Sequence, residues 1–211
     1  PSSSHTAGAV RLGRCARQVL GGLPEQAEIV FFGSFADTYR GHGTDLAVVG
    51  GLLDYDTDDM RIRDAFEHAN AAGLSVQFRT SNKAVAHPNT VTFMLSQGDR
   101  RATVTGSSIG GGNIEIIGVD HFDVKFTALY PTYLVFHDDQ PGVIADITSI
   151  LRQAGVNIGY MEVDRKSRSG AALTVIESDE AIAGDTLRLI DSLPHVRRIS
   201  IIHLNAGGEH I

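Results

Sequence analysis

Apolar and polar positions along this chain repeat with two periods, and each change of period marks an element. Val10, Cys15, Val19 and Leu20, interleaved with Arg11, Arg14 and Arg17, fall at helical spacing. They predict an amphipathic helix of about three turns that ends at Gly21-Gly22, with the arginines on its solvated face. Within residues 28–35 the run Ile29-Val30-Phe31-Phe32 is continuous enough for a buried strand. Helical spacing returns over 44–53 and 58–72, with Gly73 as the C-cap. Residues 74–79 predict a strand, and 91–95 with 101–105 predict a hairpin across Ser96-Gln97-Gly98-Asp99. After Gly110-Gly111-Gly112, residues 114–119 predict another strand. The first part is therefore α+β, with its helices early and an antiparallel hairpin late.

The second part has a cleaner rhythm. Strand 133–137, helix 143–154, strands 158–165 and 171–176, helix 182–192 and strand 196–204 give the order βαββαβ of a ferredoxin-like unit. Pro141 stands just ahead of the first of these helices and Gly155 just past its end, as helix chemistry favours. The join is placed near Leu129-Tyr130-Pro131, giving an N-terminal α+β domain over 1–129, a second domain over 130–204 and a flexible tail over 205–211.

Composition narrows the class. With 211 residues and 42% hydrophobic positions, the chain can bury a core in two modest domains or one large one. A net charge of -7 with no basic face argues against nucleic acid as partner. No apolar run approaches the ~18 residues of a membrane span, and no basic-then-apolar leader precedes the first helix, so the expected location is the cytoplasm, away from membranes. Cys15 is the single cysteine. It allows no internal disulfide and cannot hold an iron–sulfur cluster, which takes about four thiolates. Among apolar helical neighbours it reads as a buried, inert thiol. The nine histidines show no metal-ligand spacing, so no metal site is expected. The glycine run at 110–112 precedes a strand, whereas phosphate-binding loops precede a helix, which rejects nucleotide binding.

Candidate chemistry gathers at four places. Pro1-Ser2-Ser3-Ser4-His5-Thr6-Ala7-Gly8 puts four hydroxyls and an imidazole just before the first helix. Unpaired N–H groups and the positive end of the helix dipole make such a start hospitable to a carboxylate or phosphate. The same serines would also cap the helix without any ligand. Gly41 and Gly43 flank His42 and let backbone approach a ligand closely. Thr44-Asp45 then opens a helix that Asp45 can simply cap. His87-Pro88-Asn89 precedes a strand; Pro and Asn make turns unaided, and Asn89 is retained as a candidate.

The second part resembles the ACT domain family, carried by Val135-Phe136-His137-Asp138-Asp139-Gln140-Pro141-Gly142-Val143-Ile144 and Gly155-Val156-Asn157-Ile158. That resemblance implies a small-molecule sensing unit that works as a pair. In its serine-binding members the positions of His137, Asp139 and Asn157 contact the ligand across a dimer interface. Asp139 departs from the Asn of that pattern: a carboxylate accepts from an ammonium group but cannot donate an amide N–H. The unit either senses an amino acid or only assembles the protein through its edge strands.

The first part, through Ser2-Ser3-Ser4-His5-Thr6-Ala7-Gly8, Gly41-His42-Gly43-Thr44-Asp45, His87-Pro88-Asn89-Thr90 and Ser107-Ser108-Ile109-Gly110-Gly111-Gly112, resembles the β subunit of bacterial iron–sulfur L-serine dehydratase. That family joins this domain, itself similar to an allosteric substrate-binding domain, to an ACT domain in the same order. The resemblance implies an α subunit carrying a [4Fe–4S] cluster on its own cysteines, with a joint site that converts L-serine to pyruvate and ammonia. An open iron there can act as Lewis acid toward the leaving hydroxyl. The resemblance further implies that Ser3, Ser4, Thr6, Gly43, Thr44, Asp45 and Asn89 hold substrate. His42 foremost, then His5, bind it or transfer protons, since imidazole titrates near working pH. A subunit of this kind is expected to be inactive alone. A second reading, a regulatory anion- or amino-acid-binding fragment, rests on similarity to the C-terminal regions of D-3-phosphoglycerate dehydrogenase, but the dinucleotide-binding domain of that enzyme is missing from this sequence. A free-standing amino-acid sensor ranks last, because it leaves Ser2 to Thr6 and His42 unexplained.

Overall fold

The structure, a computed structural model, describes residues 3–204, with side chains from residue 6 onward. The first half is built on a six-stranded sheet in the order β2-β1-β3-β4-β5-β6. Its strands are β1 (Gln26–Phe32), β2 (Ser75–Ser81), β3 (Asn89–Gln97), β4 (Arg100–Gly110), β5 (Asn113–Val119) and β6 (Phe122–Phe126). β1 runs parallel to β2 and antiparallel to β3, and the remaining neighbours are antiparallel. Alternation puts Ala27, Ile29 and Phe31 of β1 and Val91, Phe93 and Leu95 of β3 into one buried core. Helix α1 (Ser3–Leu20) contributes Leu12, Cys15, Ala16 and Val19 to that core.

Two glycines allow α1 to meet α3 (Thr44–Leu52) at backbone distance. A Cβ on Gly51 would overlap Val10 O and stand 2.9 Å from Gly13 Cα. Between β1 and α3 lies the short α2 (Gly33–Thr38).

Three expectations are corrected. α1 has 18 residues, about five turns, and begins at Ser3, so the hydroxyl-rich segment lies within the helix and not ahead of it. The stretch 58–72 is two pieces, a 3-10 helix (Met60–Asp64) and α4 (Ala65–Ala71). Asp59 starts the first piece in extended conformation, its carboxylate accepting from Arg61 N–H. β6 is an additional strand, whose burial alternates at every residue.

The second half has the expected order: β7 (Thr132–Asp138), α5 (Val143–Gln153), β8 (Ile158–Arg165), β9 (Ala171–Ser178), α6 (Gly184–Asp191) and β10 (Val196–Ile202). Its sheet runs β10-β7-β9-β8. Tyr133, Val135 and Ile176 pack beneath Val143, Ile147 and Leu151 of α5 and Ile190 of α6. The opposite face, with Leu134, Phe136, Leu173, Val175 and Ile202, shares the core of the first half.

Polar contacts reinforce that shared core. Ser200 Oγ donates to Val19 O at 2.7 Å, and Arg198 donates to Asp120 at 2.8 Å while lying over the Phe136 ring. Gln18 donates to and accepts from the His203 backbone. Arg14, expected on a solvated face, is only 8% exposed and donates to Leu204 O at 2.9 Å. The reason is tertiary: α1 is enclosed by the sheet, α3 and β10. Along the outer edge of β6, the Asp123 and Lys125 N–H groups donate to the Asp164 and Glu162 carboxylates of β8. Among the described residues no helix is long and apolar enough to cross a membrane.

Candidate functional site

One end of the first sheet collects three of the four motif segments. At the β1–α2 corner, Gly33 adopts a left-handed φ of 55° and bridges to Asn89 at the start of β3. A Cβ there would collide with Pro88, so the His87-Pro88 turn lies directly on the corner. Thr90 pairs with Ser107 across β3 and β4, and both are buried. Gly8 of α1 sits on Ser108, leaving no room for a side chain. A Cβ on Gly112, in the β4–β5 turn, would lie 3.4 Å from Ala7. The early turns of α1 thus rest on a hydroxyl-bearing floor of Thr90, Ser107 and Ser108.

Proton directions follow from the acceptors. Thr90 Oγ1 donates to His87 O at 2.6 Å, which leaves Ser107 Oγ as donor in its 2.8 Å bond to Thr90. His87 Nδ1 accepts the Asn89 N–H at 3.1 Å, so a neutral His87 carries its proton on Nε2. Asn89 Oδ1 is buried and has no hydrogen-bond partner among the described residues. Buried acceptors are seldom left unmet, so this oxygen is suited to a donor brought in by a ligand.

The predicted residues distribute unevenly around this floor. Thr6 is half-buried on α1, two residues before Gly8, while the side chains of Ser3, Ser4 and His5 lie outside the described residues. His42 is exposed on the loop from α2 to α3, its N–H bonded to Thr38 O. That loop is linked to the Gly33 corner by the six residues of α2. Among the described residues no hydrogen bond joins His42 to the floor. Gly43 takes a left-handed φ of 75° as N-cap of α3, and Thr44 is buried behind it. Asp45 caps nothing from the N-cap position; it stands inside the first turn and accepts from Leu46 N–H at 2.8 Å. Burial raises its pKa above the ordinary value, against the lowering effect of that bond.

Thr90, Ser107 and Ser108 carry an available sequence signal, three hydroxyl residues at paired strand ends. Lys83 carries none. That exposed lysine, with Asp37, Thr80 and Ser81, lines a cleft of about 550 Å³ beside Gly33 and Pro88. No pattern in the sequence marks it, because the cleft forms only when the 82–88 loop folds back onto the corner.

In the second half, His137 is buried, and its Nδ1–H donates to Asp138 O while Nε2 accepts from Thr174 Oγ1 at 2.7 Å. Asp139 accepts from Arg165 at 3.0 Å and from Ser169 N–H. Asn157 donates to Asp179 at 2.8 Å. Each of the three is thus engaged within the chain, and no hydrogen bond links one to another. Beside them the Arg197 guanidinium holds the Asp138 carboxyl below its usual range.

Comparison with known proteins assigns both halves. The model of the serine dehydratase beta chain matches residues 1–116. The chain belongs to that family. The ACT domain model matches residues 133–195. Among relatives of this beta chain family, a probable L-serine dehydratase beta chain of Bacillus subtilis is 44% identical over 96% of this chain and 92% of its own length. The L-serine dehydratase beta chain of Peptoniphilus asaccharolyticus is 37% identical over 86% of this chain and 83% of its own. A D-3-phosphoglycerate dehydrogenase of Methanocaldococcus jannaschii is 24% identical over 92% of this chain but only 36% of its own length.

Proposed function

We propose that this beta chain supplies the substrate-holding wall of an iron–sulfur L-serine dehydratase, completed by an alpha subunit. The single observation that carries the reading is the convergence of α1, the Asn89 turn and the Ser107-Ser108 strand end around a buried acceptor that lacks a donor among the described residues. The names of the two beta chain relatives point to L-serine as substrate and to an alpha chain as partner.

The roles follow from chemistry. The first-turn N–H groups of α1, with Ser3, Ser4 and Thr6, bind the serine carboxylate. Asn89 Oδ1 accepts from the ammonium group. Gly43, Thr44 and Asp45 shape the neighbouring helix start, and His42, with His5 second, takes the α-proton and passes a proton to the departing hydroxyl. Water leaves to give 2-aminoacrylate, which tautomerises and is hydrolysed to pyruvate and ammonia.

Among the described residues none suits an iron–sulfur cluster. Cys15 is fully buried, and burial pushes its thiol up to about 12, far from the thiolate a metal needs. Among the described residues no group of three His, Cys, Asp or Glu could hold a metal ion. We therefore place the [4Fe–4S] cluster on the alpha subunit and assign this chain no step through it. The second half also offers an assembly edge: Met161 and Val163 of the edge strand β8 are exposed, and we assign self-association to that edge. Catalysis in the cytoplasm completes the proposal.

Anaerobic reconstitution tests it. The chain alone should release no pyruvate from L-serine, and addition of a cluster-bearing alpha subunit should restore turnover. His42→Ala and Asn89→Leu should each cut that turnover by at least about tenfold. Absence of serine-dependent pyruvate in the complex would sink the assignment, and near-normal turnover in either variant would remove that residue from the site.

A further inference from the structure

A cleft of about 450 Å³ opens where the two halves meet, far along α1 from the floor described above. Its walls are Arg17, Gln18 and Gly21 at the end of α1, Arg100 at the start of β4, and Ile199 and Ile201 of β10. Among the described residues no carboxylate lines it, in a chain whose net charge is -7. Arg17 spends one donor on Leu52 O at 2.9 Å. The Arg100 guanidinium makes no hydrogen bond or ion pair among the described residues. Gly21 is what lets it stand there: a Cβ at that position would overlap Arg100 Nη2.

The strand side adds a donor and an apolar wall. β10 is an edge strand, and both backbone groups of His203 turn outward to Gln18. Antiparallel alternation turns the N–H and C=O of Ile201 to the same edge. The Ile201 side chain is 47% exposed beside them.

We propose that this cleft binds a small organic anion, a carboxylate or phosphate ester with a short apolar body, that bridges the two halves. The anion sits between Arg100 and Arg17, the pairing for which guanidinium forks are best suited. Its apolar part lies on Ile199 and Ile201. Because Val19, Gln18 and β10 already hold the halves together here, occupancy tightens the same seam. The site is independent of the dehydratase reading and can be tested on the chain without a partner.

Isothermal titration of the full chain with inorganic phosphate, 3-methylbutanoate and the uncharged 3-methylbutanamide reads the site directly. Saturable one-to-one binding of both anions, tighter for the carboxylate with its branched body, and no binding of the amide are expected. Arg100→Gln, a substitution at the exposed start of β4, should weaken both anions about tenfold or more. Arg168→Gln, on a distant exposed loop, should leave them unchanged. Hydrogen exchange should slow in residues 15–22 and 196–204 when the anion is bound. Equal affinity in Arg100→Gln, or failure of both anions to bind, overturns the proposal. Phosphate binding without carboxylate binding overturns the organic part of the ligand.

Discussion

Gly51→Ala is the sharpest probe of how this fold holds α1 in place. The added methyl would overlap Val10 O and stand 2.8 Å from Arg14 N and 2.9 Å from Gly13 Cα, all backbone atoms of α1. No rotamer change can relieve that, so the helices must separate. Overpacking costs about 1–3 kcal/mol, and a backbone-only clash belongs at the upper end, about 3 kcal/mol. Gly51 is the penultimate residue of α3, so alanine returns at most the roughly 1 kcal/mol of helix propensity of an interior site, leaving a net loss of at least about 2 kcal/mol. At roughly 2–4 °C per kcal/mol for a chain of this size, the melting temperature should fall by about 4–8 °C. The neighbouring Gly50→Ala is the control. Its methyl would meet Ile62 Cγ1 at 3.0 Å, a side-chain contact that a shift of a few tenths of an ångström in half-buried Ile62 relieves, so its melting point should stay within about 2 °C of the parent. Scanning calorimetry of the three proteins decides the matter. A Gly51→Ala protein melting at or above the parent, or a Gly50→Ala protein falling as far, would refute the close-approach argument.

Three further outcomes are expected. With its pKa at about 12 and no exposure, Cys15 should resist a disulfide reagent at pH 8 until the chain opens, so the labelling rate should follow urea-induced unfolding and not reagent access. Arg14→Met should leave Leu204 O and Asp54 without their donor, lowering stability by about 2–3 kcal/mol in urea titrations and loosening 202–204 in hydrogen exchange. Asp45 has a raised folded-state pKa, so the folded chain binds that proton more tightly than the unfolded one. The stability this lends is present at low pH and lost as pH rises through the folded pKa. Asp45→Asn should therefore stabilise the chain more at pH 7 than at pH 3, and equal effects at both would contradict the burial argument.

The second half was almost wholly legible before folding, because its elements carry clear signals: Pro141 before α5, Gly155 after it, and near-continuous apolar runs in β7 and β9, which are buried on both faces. β6 was legible in principle, since Phe122, Val124 and Phe126 alternate with Asp123 and Lys125. Five residues make a short signal, and the strand went unread. Arg14 was a different failure. Its spacing with Arg11 and Arg17 is that of an exposed face, and only the docking of β10, nearly two hundred residues later, turns that face inward. At the candidate site, the sequence marked the segments but not their meeting. That Asn89, Ser107, Ser108 and Gly8 converge depends on strand register and on Gly33 fitting against Pro88, neither of which periodicity encodes.

The carboxylates of Glu162 and Asp164 along β6 bear on whether these two halves can ever be cut apart. An excised first half would lose those acceptors and present a bare strand edge. It would also uncover the apolar surface now covered by Leu134, Phe136 and Val175. Bare edges template strand addition between molecules. The ACT half therefore shields that edge and that apolar surface within the chain. A chain carrying an unrelated module in its place is expected to self-associate through the uncovered β6 edge.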